Sequence, residues 1–456
     1  MLSFKLYISH LEVNEQLHPN QIVLPRKISS IWNIEHKMLG KIGYQFLTKD
    51  VEVFIDDTLP DTTIQLAPPI AEHLSLLSVK RLQCFYDYQE KMFHLGPSIG
   101  VVIGDIQQTD SLPQFGTITP YIEEMGKSAT DLYCPFFVFS YKDVKGTFVE
   151  GYTFHDNTWK KGNFPLPHVV YNRIGRRDQE RSPQGQDFFQ RLKDMNIPYF
   201  NDRFLHKWDT HALFMKEPTI EPYLPETKHL QGKNDLYELL SRYSNIFIKP
   251  FWGKEGSGII KVQQEKGVYK ITYPTDQGWQ TKKVKTDYQL FEILQDRVRK
   301  RRYIVQPQID TLEYSNAPID FRVLCVKNIS GEWKACSTVS RVGDGGKIVS
   351  NLAQGGSQRK ASTLLKEFMT EEKAKHTIRF MNELGIHGAQ IIDRETDGLY
   401  GELGFDFMID KTGHVWILEV NIKPSKGDSL QHSNNSFPSI RLLLDYAEYL
   451  TGFSHH

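Results

Sequence analysis

This 456-residue sequence predicts an α/β region followed by a larger α+β region, with a small β-rich segment in front. Three patterns carry that expectation. From about residue 98 the chain alternates short apolar runs with amphipathic stretches, as buried strands and their helices do. From about 200 it mixes helical periods with long β-runs in hairpin order. Residues 1–97 are strand-like, with only short helical patches. The length suits about three domains, so the expected divisions are 1–97, 98–200 and 201–456.

In the first segment, Ile22-Val23-Leu24-Pro25 with Ile28, Trp32 and Ile34 matches Ile64, Leu66, Ile70, Leu74 and Leu76 at a constant offset of 42. A strand–helix–strand unit present twice, closing into one barrel, explains this; chance matching of apolar positions is the alternative. In the second segment the expected strands are Ile99–Gly104, Pro135–Phe139 and His168–Asn172. Helices are expected over Ile118–Leu132 and Gln184–Met195, while 115–165 shows no clear period. In the third, strands are expected over 246–250, 303–309, 320–327, 333–341, 401–410 and 414–421, with a helix over Tyr288–Val298. Ala374, Ile378, Met381 and Leu384 repeat at helical spacing, and Gly385 stands where a C-cap glycine belongs.

Lysine plus arginine total 55 and aspartate plus glutamate total 55. That balance argues against a dedicated nucleic-acid binder, and no apolar run approaches the roughly 18 residues of a membrane span. The opening lacks a signal-peptide core. Cys84, Cys134, Cys325 and Cys336 are too scattered for a zinc knuckle or a disulfide scaffold, so a reduced, cytoplasmic protein is expected.

Several motifs fail on context. Gly96-Pro97-Ser98-Ile99-Gly100 spells a nucleophile elbow, but a strand rather than a helix follows the serine. Gly343-Asp344-Gly345-Gly346-Lys347 would be a phosphate loop if position 341 were glycine; it is arginine. The basic run 297–302 ends a predicted helix, where cations suit the macrodipole.

Three signals survive. The run Phe247-Ile248-Lys249-Pro250 leads into Gly253-Lys254-Glu255-Gly256-Ser257-Gly258, a glycine-rich loop whose N–H groups can approach phosphates, with Lys249 as a nearby cation. Gly404 to Asn421 reads as a hairpin turning at Asp410–Gly413. If Asp410 faces Gly413, Asp406 lies opposite Ile417. Asp406, Glu419 and Asn421 then share one face, with Phe405, Phe407, Trp416, Leu418 and Val420 on the other. Two carboxylates and an amide gathered together suit a hard cation such as magnesium. Finally, alternation puts Asp320 and Arg322 on one face, where an arginine would neutralise charge during phosphoryl transfer.

In this order the pieces resemble an ATP-grasp domain over about 200–430, and the whole chain resembles the YheC/YheD endospore coat-associated family. The fold this implies is a pre-ATP-grasp α/β domain and two α+β subdomains clasping ATP, with an extra N-terminal β-rich domain. The resemblance rests on Lys207 in Lys207-Trp208-Asp209, Lys249 with its loop and Gln306-Pro307-Gln308-Ile309 as the hinge strand beside adenine. It rests also on Asp320-Phe321-Arg322, Ser350-Asn351-Leu352-Ala353-Gln354-Gly355-Gly356, and the Asp406, Glu419, Asn421 trio.

It implies an ADP-forming ligase in which a carboxylate attacks the γ-phosphate of ATP and an amine or thiol displaces phosphate from the acyl phosphate. Lys207, Lys249, Gly253, Lys254, Gly256, Ser257, Gly258, Gln306, Gln308, Ile309 and Asn351 would bind ATP. Arg322 and Arg341 would steady the transferred group, and Asp406, Glu419 and Asn421 would hold Mg2+. The implied partners are small-molecule or peptide carboxylates and amines together with spore-coat proteins. A coat assembly protein that binds ATP without turnover, and a kinase, are the alternatives.

The departures lie on the substrate side. Gln354 replaces a basic residue usual in the ligase relatives, and Lys423-Pro424-Ser425 replaces a small-Pro-Gly turn. Arg173, Arg176, Arg177 and Arg181 read first as a solvated basic loop, with an anion site as the alternative.

Overall fold

The computed structural model describes residues 5–109, 112–155, 158–202, 205–253, 258–275, 277–298, 301–343, 357–426 and 437–455. Lys254, Gly256, Ser257 and Asn351 therefore lie outside the described residues, as does Gln354.

Residues Leu6 to Gly96 form one eight-stranded sheet that wraps round on itself. The strand Leu6–Ile8 ends one edge, and His10–Val13, which follows it directly, ends the other. The 42-residue offset maps the helix Arg26–Ile31 onto Pro68–His73. Pairing follows the same relation. His10–Val13 runs parallel to Thr63–Leu66, as Leu47–Asp56 does to Gln21–Pro25. Leu6–Ile8 runs antiparallel to Leu82–Asp87, as Leu47–Asp56 does to Met38–Tyr44. Gln21–Pro25 and Thr63–Leu66 pair with each other, so the pseudo-twofold axis passes between them. Ile22, Leu24, Ile28, Trp32, Ile34, Ile64, Leu66, Ile70, Leu74 and Leu76 are all buried in its core. We propose that a duplication produced this segment.

The next sheet runs Thr158–Pro165, Phe148–His155, Phe136–Lys145, Ile99–Ile103, Val169–Asn172, Tyr199–Phe200. Its last three pairings are parallel, and its first two are an antiparallel meander. The meander occupies the stretch whose period was unclear, because its outer strand is largely exposed and carries no apolar alternation. Helices Thr119–Asp131 and Pro183–Asp194 cover opposite faces, the first over Val101 and Val138, the second over Val102 and Phe139.

Two further sheets follow. The first is antiparallel, in the order Lys228–His229, Tyr303–Pro307, Asn245–Pro250, Ile260–Glu265, Val268–Thr275, Gly278–Val284. The second runs Ser357–Lys360, Trp333–Val342, Ala317–Lys327, Glu402–Ile409, Val415–Asn421. In the strand Ala317–Lys327, residues Ile319, Phe321, Val323 and Cys325 face a core under the helix Glu371–Glu395. On the other face, Leu324 and Val326 share a core with the α/β sheet and the helix Ser439–Leu450. Asp320 and Arg322 continue that second face, so the interdomain core leads directly to the candidate site.

Gly385 is not a C-cap. It lies inside the helix Glu371–Glu395, whose backbone comes so close to the sheet that a Cβ there would stand 3.1 Å from Cys325 Sγ and 3.3 Å from Val323 Cγ1. Gly388, one turn on, is tighter still, at 2.6 Å from Phe405. These glycines buy close packing at the expense of helix propensity. Among the described residues, no helix is long and apolar enough to cross a membrane.

Candidate active site

Strand register builds the site. Arg322 is directly opposite Asp406, Asp320 opposite Arg341, and Asp406 opposite Glu419. The last pairing corrects the sequence-based register, which put Asp406 across from Ile417. The tip is a five-residue turn in which Asp410 N–H donates to His414 O at 2.9 Å. Asp410 Oδ1 also accepts from the N–H of Thr412 and of His414, at 2.9 and 3.0 Å. A bulge then lets Phe407 face Ile417 while Asp406 faces Glu419, leaving Leu418 as the extra residue. The bulge changes which side chains fill the core below it. Val415 and Ile417 are buried with Phe405, Phe407 and Ile409, whereas Trp416 is only half-buried and donates Nε1–H to Asp410. Above the bulge the polar trio is aligned as expected.

Arg322 donates from Nε to Asp406 Oδ1 at 2.7 Å and from Nη2 to Oδ2 at 2.8 Å. Arg341 pairs with Asp320 and reaches Asp406 Oδ2 at 3.1 Å. All four side chains are buried. Burial alone would raise the Asp406 pKa, but the guanidiniums of Arg322 and Arg341 overcome it and hold the carboxyl well below the usual range. Asn421 Nδ2 lies 3.1 Å from Asp406 and 3.4 Å from Glu419. Lys207 pairs with Glu419.

Lys207 opens the helix Lys207–Phe214, whose N-cap is His206: its Nδ1 accepts from Asp209 N–H at 3.0 Å. Lys249 lies on Asn245–Pro250 and donates to Gln306 Oε1 on the neighbouring strand at 2.7 Å; Gln306 in turn donates to Thr227 at 2.8 Å. Burial pushes the Lys249 ammonium down to about 8, with the Lys207 charge acting the same way and Glu419 opposing. Gly258 has φ +78, a conformation glycine adopts freely, and Gly253 is exposed at the loop's other end. Gln308 and Ile309 lie just past the strand end at Pro307. Gln308 N–H donates to Asn245 O, and its exposed side chain points to no hydrogen-bond partner in the cluster among the described residues.

Lys207, Lys249, Arg322 and Arg341 thus stand against Asp320, Asp406 and Glu419, a surplus of one positive charge among these seven. Such a cluster suits an anionic ligand. The carboxylate oxygens of Asp406 and Glu419 and the side-chain oxygen of Asn421 are the hard ligands a magnesium ion accepts, and here Asn421 directs its Nδ2 at both carboxylates.

Sequence reasoning missed the layer behind the site. Glu402, fully buried, takes Lys426 and the Tyr171 hydroxyl and accepts from Arg173 Nη1 at 3.0 Å. Arg173 Nη2 donates to Pro424 O and Asn201 Nδ2 to Ile422 O, both at 3.1 Å, so this network holds the chain leaving Asn421. Arg173 is therefore a buried structural cation rather than part of a solvated loop, and Lys423 pairs with buried Glu180 at 2.6 Å. Neither acid carries a local sequence signature. Ser98 is buried between Gln45 Nε2 at 2.7 Å and His168 Nδ1 at 2.9 Å, where the barrel meets the α/β sheet.

A family model described as YheC/D like ATP-grasp matches residues 196–450. The chain belongs to the YheC/D-like ATP-grasp family. It is 28% identical over 371 residues to the endospore coat-associated protein YheD of Bacillus subtilis (strain 168), covering 78% of this chain and 80% of that relative. With YheC of the same organism, also named endospore coat-associated, it shares 26% over 321 residues, covering 69% of this chain and 87% of YheC. Among solved structures, D-alanyl-alanine synthetase A from Vibrio cholerae matches at TM-score 0.45 and 12% identity, over 79% of this chain and 98% of that one. The family match gives this YheC/D-like chain the ATP-grasp fold, and its sheets form α/β and antiparallel layers with an additional N-terminal β segment.

Proposed function

We propose that this YheC/D-like chain is an ADP-forming ligase that joins a carboxylate to an amine or thiol through an acyl phosphate. The observation that carries this reading is the convergence of Asp406, Glu419 and Asn421 with Lys207, Arg322 and Arg341 around one sheet face. A coat scaffold has no physical need to assemble these charges, because desolvating them is costly.

In this reading, Lys207 and Lys249 bind the nucleotide phosphates. Asp406, Glu419 and Asn421 would hold magnesium, which supplies positive charge to the triphosphate. The substrate carboxylate attacks the γ-phosphorus, the bond to the bridging oxygen breaks, and ADP leaves. Arg322 and Arg341 stabilise charge on the transferred group. The acceptor then attacks the acyl carbon, loses its proton and expels phosphate. Exclusion of water from the site would protect the acyl phosphate from hydrolysis. The names of YheD and YheC support action around the spore coat, where coat proteins are the candidate macromolecular partners.

Mass spectrometry of cell extracts incubated with the chain, ATP and Mg2+ tests the reading. A new amide or thioester with stoichiometric ADP supports it. A stable phosphate ester would make the chain a kinase, and absence of ADP would leave nucleotide binding without turnover.

A further inference from the structure

The four arginines after the strand Val169–Asn172 divide into two kinds. Arg173 is buried on Glu402, and exposed Arg176 pairs with Asp178. Arg177 and Arg181 form no salt bridge among the described residues, although the Glu180 and Asp209 charges act on Arg177, and both face one aromatic ring. The Arg177 guanidinium lies 3.0 Å from the centroid of Trp252, and that of Arg181 lies 5.8 Å from it. The Trp252 ring is in turn 4.8 Å from His206, the residue that caps the Lys207 helix. The two cations therefore stand one aromatic ring and one cap away from Lys207, at the root of the glycine-rich loop.

Their position is fixed from below. Glu180, on the same short helix, accepts from Asn172 Nδ2 and Lys423 Nζ, both at 2.6 Å. Lys423 follows Asn421 by two residues, so the helix is tied to the exit of the strand carrying Glu419 and Asn421. This gives the unusual lysine at 423 a purpose: it docks the arginine-bearing helix onto the candidate site. Partial burial and the Arg181 charge pull the Arg177 pKa down to about 10, against the opposing pull of Glu180 and Asp209. Two guanidiniums held together offer planar, charge-assisted donors suited to a carboxylate.

We propose that Arg177 and Arg181 form a subsite for a second carboxylate on the acid substrate, so that the preferred substrates are diacids such as acidic amino acids or glutamyl peptides. The proposal rests on the ligase reading, because the reacting carboxylate must lie beside the phosphates that Lys207 and Lys249 would hold. The competing account makes Arg177 only a latch for Trp252, with no role in binding.

Calorimetric titration of the full chain, preloaded with Mg2+ and a non-hydrolysable ATP analogue, separates the two. The probes are triglutamate and trialanine. Wild type is expected to bind triglutamate at least about ten-fold tighter, the size of one charge-assisted contact. Arg177→Gln/Arg181→Gln is expected to abolish that preference while leaving analogue affinity within about two-fold. Arg177→Lys/Arg181→Lys, which keeps the charge, should retain part of it, and Arg181→Gln alone serves if the double variant does not fold. Equal binding of the two peptides, no binding of either, or a preference that survives the double Gln variant would each overturn the subsite. Failure of wild type to bind the analogue would instead sink the ligase reading on which the subsite depends.

Discussion

Arg322 stands directly opposite Asp406 on adjacent antiparallel strands and donates to both of its carboxylate oxygens. Removing the guanidinium leaves a buried carboxylate served, among the described residues, by Arg341 and Asn421. Breaking such a pair costs about 3–5 kcal/mol, and the remaining partners place Arg322→Gln toward the lower end, measured by urea unfolding. Because the folded pKa of Asp406 is depressed, its stabilisation is fully present above the unfolded carboxylate pKa and is lost as pH falls below it. Arg322→Gln is therefore expected to flatten the acid limb of the stability–pH curve.

Lys249 is poised to lose its charge near pH 8. If it binds nucleotide phosphates as an ammonium, affinity for an ATP analogue falls as pH rises through that value. Lys249→Arg keeps its charge throughout, so its affinity is expected to stay level over the same range, whereas Lys249→Gln starts about ten-fold weaker and shows no such fall. Titrations at pH 7, 8 and 9 give the comparison.

The polar trio and the Asp320–Arg322 alternation were legible because period-two placement needs no tertiary information. The hairpin below them was misread for the opposite reason. A bulge leaves no mark in composition, so Trp416 and Leu418 took core positions that Val415 and Ile417 occupy. Gly385 was misread because a glycine ending an apolar period and a glycine admitting a neighbouring sheet look alike until the sheet is placed. In the sequence Arg173 reads as a surface charge, because its partner Glu402 lies over two hundred residues away. Local pattern reports faces, and long-range pairing reports burial.

Gly388 tests the close approach of helix and sheet. A Cβ there would meet Phe405 Cε1 at 2.6 Å and Phe214 Cζ at 3.3 Å, and both rings are fully buried. Gly388→Ala should gain about 1 kcal/mol of helix propensity yet be destabilised overall by about 1–3 kcal/mol through overpacking. Thermal and urea unfolding read the sign directly.

His168 makes the junction of the barrel and the α/β sheet acid-sensitive. Burial pushes its pKa down to about 3, with His94 adding to the effect, and its Nε2 accepts from Gln45 N–H at 3.1 Å. The unfolded chain takes up this proton near pH 6.5 and the folded chain does not, so stability is lost progressively as pH falls from there toward 3. The full loss is on the order of 5 kcal/mol. His168→Gln is expected to remove this slope at a fixed cost in packing, followed by unfolding between pH 7 and 4.

One calorimetric titration of the intact chain with a non-hydrolysable ATP analogue, with and without Mg2+, tests the nucleotide site most directly. One nucleotide per chain is expected, bound only weakly without the metal and weakened about ten-fold or more by Glu419→Gln. No binding, or binding indifferent to both magnesium and Glu419, would contradict the assignment of this cluster as a nucleotide site.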